Sequence, residues 1–380
     1  MSNAVELMLN YHQQTGHYPG ALVHVEQEGR VLTRQVSGRL SGAPDAPVMA
    51  ERARFRIASL TKPMVSMVVL MLVDEGRVAL ATPIAEILPE LAGRQVHGQG
   101  KAAVQPTLEH LLTHTSGFAY APEILPADLR EQALATGLAD MAAMSRAEFL
   151  QALAGLPLVC EPGTRFLYGY STDLLGLILE RLDDAPLDEV MRKRLFVPLG
   201  MQASGFRAEP DELAAMPRAF DDDLAWHRFF NGFQAAEAKA RASTDPETAP
   251  LISGGGGLIS TLDDVCRFAR AVANGGRSGT LQLLTPATFQ AMVSNRLADT
   301  VDGPAGFIGG GWGFGLGGAV RRATGAAAVP AAPGEYTWSG VTGQSLFVNP
   351  GSGWFAVMLS SNTASRVMVR FEFRRAVSRL

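Results

Sequence analysis

Cysteine is scarce in this chain, with only Cys160 and Cys266 among 380 residues. One distant pair is no disulfide framework, and a reduced compartment is the expectation. Basic excess is also missing. Lys and Arg number 33 against 37 Asp and Glu, for a net charge of −4 and a pI near 6.0. Nothing is in surplus to neutralise a run of phosphates, so nucleic acid is not an expected partner. The apolar run MVSMVVLMLV (64–73) is too short to span a bilayer and stops at Asp74-Glu75-Gly76, so no membrane is expected either. The stretch MSNAVELMLNYHQQTG lacks a basic segment ahead of an apolar core and does not read as a signal peptide. Its Val5, Leu7, Met8, Leu9 and Tyr11 suit a short surface helix, and the expected location is cytoplasmic.

Three motifs are missing as well. No strict G-x-S-x-G occurs, which removes the α/β-hydrolase elbow. No Gly-Lys-Ser/Thr follows Gly254–Gly257, so that run is no phosphate loop; it reads as a close backbone approach at a strand end. His110 and His114 stand four apart with Glu109 before the first, which is not H-E-x-x-H and has no evident third ligand. A structural role at a helix end is expected for them, and neither a metal nor a cofactor is implied.

What is present is an ordinary globular balance, 47% hydrophobic and 18% charged, on a chain long enough for two lobes or one core with a large insertion. ALVHVEQEGRVLTRQVSG (21–38) has β-rich halves around Glu28-Gly29-Arg30 and reads as a hairpin. Residues 59–76 read as a buried helix. Helical patterns follow in TPIAEILPEL, TLEHLLTH, SRAEFLQALAG, STDLLGLILERL and LDEVMRKRLFVPLG. The polar stretch 207–250, with Trp226, Phe229 and Phe230, reads as a long excursion and a candidate lid. TLDDVCRFARAVANGG is a capped helix ending in glycines, with Asp263 and Asp264 at its positive end. The Gly-, Ala- and Pro-rich segment 302–334 reads as loop. Residues 337–350 and 354–362 read as paired strands, and the C-terminal stretch as a helix. Strands at both ends with helices between argue for an α+β fold. Residues 1–80 and 251–380 would form an α/β domain, and 81–250 a mostly helical one.

The chemistry concentrates in FRIASLTKP. Ser59 and Lys62 are three apart, on one face if the segment is helical. Pro63 is tolerated only in a first helical turn, so the helix should begin near Ser59. The hydroxyl then sits at the positive end of the helix dipole, where a developing oxyanion is stabilised. A serine hydroxyl is a poor nucleophile until a base takes its proton, and a lysine packed where a buried helix begins can be that base.

Together with LLTHTSGF, PGTRFLYGYSTDLLG, LFVPLGM, GGGGLISTLDDVCRFA, GWGFGLG and WSGVTGQSLFVNP, in that order, this pattern resembles the serine β-lactamases and penicillin-binding proteins over about residues 20–365. Within them it looks most like the family VIII carboxylesterases, relatives of class C β-lactamases. The resemblance implies a β-lactamase/transpeptidase-like fold: an antiparallel sheet flanked by helices, plus a mostly helical lobe. It implies Ser59 as nucleophile and Lys62 as its base partner. It favours Tyr168 over Tyr170 as the proton-relaying tyrosine, because Tyr168 lies six residues after Pro162 and fits a Y-x-x-x-x-D-x-L-G frame with Asp173 and Gly176. It implies an oxyanion hole from the Ser59 and Val341 amides.

Two positions depart from the class C pattern. Tyr170 stands where those enzymes have asparagine, and Trp338-Ser339-Gly340 stands where they have Lys-Thr-Gly. The strand lysine attracts a β-lactam carboxylate; an indole offers an apolar wall and one donor. The implied substrate is a small ester without an obligatory carboxylate. Trp338, Ser339, Gly340, Tyr170, Phe118, Tyr120 and Trp312 are the expected substrate-binding residues. A β-lactamase, a D-amino-acid amidase or peptidase, an acyltransferase using the same acyl-enzyme, and a non-catalytic ligand-binding relative are the alternatives.

Overall fold

The computed structural model describes residues 4–120, 125–242, 249–301 and 303–380. The predicted hairpin forms from β1 (Gly20–Gln27) and β2 (Arg30–Gly38). Its two turn residues, Glu28 and Gly29, both have positive φ (49° and 83°), a combination whose twist matches that of the flanking strands. Five further strands join them: β3 (Trp312–Phe314), β4 (Ala319–Arg321), β5 (Tyr336–Ser339), β6 (Ser345–Asn349) and β7 (Trp354–Ser360). The sheet runs β2-β1-β7-β6-β5-β4-β3, and every neighbouring pair is antiparallel. β1 pairs with β7 from Ala21 opposite Ser360 to Gln27 opposite Trp354, so both ends of the chain share one sheet. The fold is the α+β, β-lactamase/transpeptidase-like one expected.

The main helices are α1 (Ala4–Gln14), α2 (Thr61–Asp74), α3 (Ser171–Asp183), α4 (Leu224–Ala242), α5 (Leu262–Ala273) and α6 (Arg366–Val377). Strand alternation sorts the sheet's side chains between two layers. Ala21, Val23, Val25, Phe347, Ala356 and Met358 pack against α1 and α6. Leu22, Leu346, Val348, Phe355, Val357 and Leu359 join the larger core with α2, α3 and α5. α1 buries Val5, Met8 and Leu9 and leaves Leu7 and Tyr11 exposed, as a surface helix must. α2 is apolar nearly all round and lies almost wholly in the core. Among the described residues no helix is long and apolar enough to cross a membrane.

Several elements differ from the sequence reading. The helix expected from residue 59 starts at Thr61, behind a tight 3-10 turn over Ala58–Leu60. Ala58 has φ of 46°, which no α-helix tolerates. The pattern TPIAEILPEL folds as two 3-10 turns, Ile84–Glu86 and Pro89–Leu91, because Pro83 and Pro89 interrupt any longer helix. The stretch read as loop over 302–334 contains a short helix, Ala305–Ile308, and the strands β3 and β4. The segment 337–350 is not one strand but the hairpin β5–β6, turning between Gly340 and Gln344.

The polar excursion 207–250 holds a short helix, Pro210–Ala214, and the 19-residue α4; residues 243–248 lie outside the described residues. α4 is pinned by buried Trp226 and Phe230, and by an ion pair between Arg56 and Glu237 that is buried on both sides.

Candidate active site

The site grows from the turn that carries Ser59. Ile57 N–H donates to the Leu258 carbonyl at 2.9 Å, and Leu258 N–H donates to Thr61 Oγ1 at 3.2 Å. Thr61 Oγ1 in turn donates to the Ala58 carbonyl at 2.6 Å. These bonds clamp the turn from both ends and hold Ala58 in its left-handed conformation, a local strain that the surroundings must over-determine. Ser59 is half-buried, whereas Lys62 is only 1% exposed.

Lys62 Nζ has three acceptors: the Gly255 carbonyl at 2.7 Å, Tyr120 OH at 3.1 Å and Ser59 Oγ at 3.4 Å. It also lies 4.6 Å from the centroid of the Tyr168 ring. Tyr168 is half-buried, and its hydroxyl accepts from Trp338 Nε1 at 3.4 Å. Its ring packs against those of His114 at 4.8 Å, Trp338 at 5.3 Å and Tyr120 at 5.5 Å. Residues distant in sequence thus meet in one cluster around a buried amine.

The remaining expected site residues fall into three groups. β5 ends against the serine turn: a Cβ on Gly340 would lie 2.9 Å from the Ile57 carbonyl, so only glycine allows that approach. Val341 follows it, in the turn between β5 and β6. Ser339 faces opposite to Trp338 by strand alternation, and its buried hydroxyl has no hydrogen-bond partner among the described residues. Tyr170 and Phe118 lie one layer behind. The Tyr170 ring meets that of Tyr120 edge-on at 4.8 Å, and its hydroxyl donates to the Leu138 carbonyl at 3.2 Å. With Phe118, Leu125, Leu129, Leu138 and Leu153 it lines an apolar recess. Trp312 is buried on β3, on the face it shares with Phe314; it is the Phe314 ring that meets Trp338, at 5.2 Å.

Three residues take places in this cluster that the sequence did not give them. Asp173, named only as part of a spacing frame, is fully buried beside Lys62 and accepts from Ser253 Oγ at 2.7 Å and Gly255 N–H at 2.9 Å. Burial pushes its carboxyl up, against the opposing influence of Lys62 and these donors. Tyr120, expected only in a substrate pocket, is bonded to the lysine. Burial first, then the Asp173 charge, hold its phenol well above the usual range. His114 packs behind Tyr168, and burial aided by Lys62 holds it well below its ordinary value, so it stays neutral. His110, by contrast, closes a helix N-terminus: its Nδ1 accepts from Thr107 N–H at 3.2 Å. Among the described residues no group of three or more His, Cys, Asp or Glu could hold a metal. Both cysteines are free and buried.

A half-buried hydroxyl thus lies within reach of a buried amine, at the mouth of α2 and beside the end of β5, in a β-lactamase/transpeptidase-like fold. Residues 6–378 match the Beta-lactamase family, and the chain belongs to it. It is 33% identical to Esterase EstB of Burkholderia gladioli over 354 residues, 91% of this chain and 86% of that protein. Its structure superposes on EstCE1, described as a hydrolase with promiscuous acyltransferase activity, with a TM-score of 0.80 and 26% identity over 98% of this chain and 97% of that one. It also shares its fold with simvastatin synthase LovD of Aspergillus terreus, with a TM-score of 0.78 and 21% identity over 99% of this chain and 98% of that one. These likenesses support a serine hydrolase, esterase or acyltransferase.

Proposed function

We propose that the protein hydrolyses carboxylic esters of small molecules through an acyl-enzyme on Ser59, a carboxylesterase activity. The observation that carries this reading is Lys62 Nζ, buried and 3.4 Å from Ser59 Oγ. Lys62, as free amine, takes the hydroxyl proton while Oγ attacks the ester carbonyl. The Ser59 and Val341 amides receive the oxyanion. Tyr168 passes a proton to the departing alkoxide. Water then attacks the acyl-enzyme and frees the acid. The indole of Trp338 stands where β-lactam-hydrolysing relatives carry a cation, which favours esters over carboxylate-bearing lactams.

A second reading has specific support. The same acyl-enzyme can be intercepted by an alcohol, and the similar EstCE1 is described as having promiscuous acyltransferase activity. Hydrolysis and transfer then differ only in the second acceptor.

The test compares p-nitrophenyl butyrate with nitrocefin, using wild type and Ser59→Ala. Ester cleavage should dominate and should fall by at least about 10³-fold in the variant. Nitrocefin turnover exceeding ester turnover would refute the ester assignment. An unchanged rate in Ser59→Ala would refute the nucleophile.

A further inference from the structure

Asp173 is a carboxylate with no solvent exposure, and among the described residues no arginine or lysine touches it directly. A buried charge needs compensation. The cation it shares the interior with is Lys62, and two bridges join them. The first is Tyr120: Lys62 Nζ donates to its oxygen at 3.1 Å, and its hydroxyl donates to Asp173 Oδ2 at 3.4 Å. The second is one residue of backbone. The Gly255 carbonyl accepts from Lys62 at 2.7 Å, and the Gly255 N–H donates to Asp173 Oδ1 at 2.9 Å. A Cβ on residue 255 would lie 2.6 Å from Asp173 Oδ2, so this bridge admits only glycine. Ser253 Oγ adds a third donor to the carboxylate at 2.7 Å.

Every hydrogen in both bridges points from Lys62 toward Asp173. A neutral amine has two hydrogens and one lone pair. With its hydrogens committed to Gly255 and Tyr120, the direction left for the lone pair is Ser59 Oγ. We propose that Asp173 is a positioning residue: through Tyr120 and Gly255 it aims the lone pair of Lys62 at Ser59 and supplies the counter-charge for the ammonium that forms. This rests on Lys62 acting as the base. In that step the Ser59 O–H bond breaks, its proton goes to Nζ, and its electron pair forms the bond to the ester carbonyl carbon. The amine becomes an ammonium with a buried anion already in place. A third group that orients the base is the logic of catalytic triads in general.

The groups facing this network are Lys62 from α2, Tyr120, Tyr168 and Tyr170 from the segments ahead of α3, and His114 from the turn after Leu108–Leu112. His114 is held neutral by burial, so it adds no charge change near neutrality. Asp173→Asn removes the anion that faces the amine and leaves the two bridges' shape in place.

The experiment is the pH profile of kcat/KM for p-nitrophenyl butyrate in wild type, Asp173→Asn, Ser253→Ala and Tyr120→Phe. Asparagine keeps the shape and can still accept from Ser253 and Gly255. We expect its acid limb to move to lower pH by about one unit or more, with a plateau lower by on the order of 10²-fold. Tyr120→Phe keeps the carboxylate but cuts one bridge to Lys62, and should shift the limb the same way by less; Ser253→Ala keeps both bridges and should move it least. They decide the matter if Asp173→Asn fails to fold. A rate lowered at every pH with an unmoved limb in the folded variants would overturn the proposal, since a merely structural role predicts that result. Ser59→Ala in the same series separates the two levels: if it stays active, the nucleophile assignment is wrong; if it is dead and the limbs are unmoved, only the role of Asp173 is wrong.

Discussion

Two buried ionic clusters in this molecule are built in opposite ways. Between the sheet and α6, Arg374 meets Glu335 directly: Nε donates to one carboxylate oxygen at 2.9 Å and Nη2 to the other. The guanidinium also lies over the rings of Trp354 and Phe347, at 5.0 and 5.6 Å. That pair is closed, because one planar fork takes both oxygens. Behind Ser59, Lys62 and Asp173 do not touch. A phenol and a peptide unit stand between them, at distances up to 3.4 Å, and the lysine keeps one direction for Ser59. Burial pushes the carboxyls of both Glu335 and Asp173 up, so depth does not distinguish them. Connectivity does: a bidentate pair holds structure, and a bridged pair with a spare direction can move a proton.

The comparison can be broken at either end. The larger expected effect is around Lys62. Tyr168→Phe should lower kcat for p-nitrophenyl butyrate by about 10²–10⁴-fold while the thermal midpoint stays close to that of wild type. A fall in stability with little change in kcat would make Tyr168 a packing residue and erase the contrast. At the other cluster, Arg374→Ala should cost about 3–5 kcal/mol in urea unfolding, because it strands a buried carboxylate. The folded fraction should keep a near-normal kcat. A variant with normal stability would show that this pair is not the structural anchor its geometry describes.

Legibility in the sequence followed how local each feature is. Ser59, Lys62 and Pro63 lie within five residues, and the apolar run behind them marks a buried helix, so that part of the site was readable. The hairpin 21–38 was readable because its alternation and its turn are adjacent. β3 and β4 were not, since three-residue strands set among Gly311, Gly313, Gly315 and Gly317 carry too little alternation to register. Tyr120 could be placed near the site as an aromatic, but its bond to Lys62 spans 58 positions and only tertiary packing creates it. Asp173 was hidden for a related reason. On the helix pattern STDLLGLILERL it looks like an ordinary acidic residue in a first turn, and only the fold sets it in the core.

Covalent labelling tests the role of Ser59 without depending on any one substrate. The enzyme is treated with a fluorophosphonate, and the adduct is located by intact mass and peptide mapping, in wild type and Ser59→Ala. One adduct is expected, on Ser59, absent from the variant and formed in step with loss of esterase activity. An adduct on another residue, or full esterase activity in fully labelled enzyme, would contradict it.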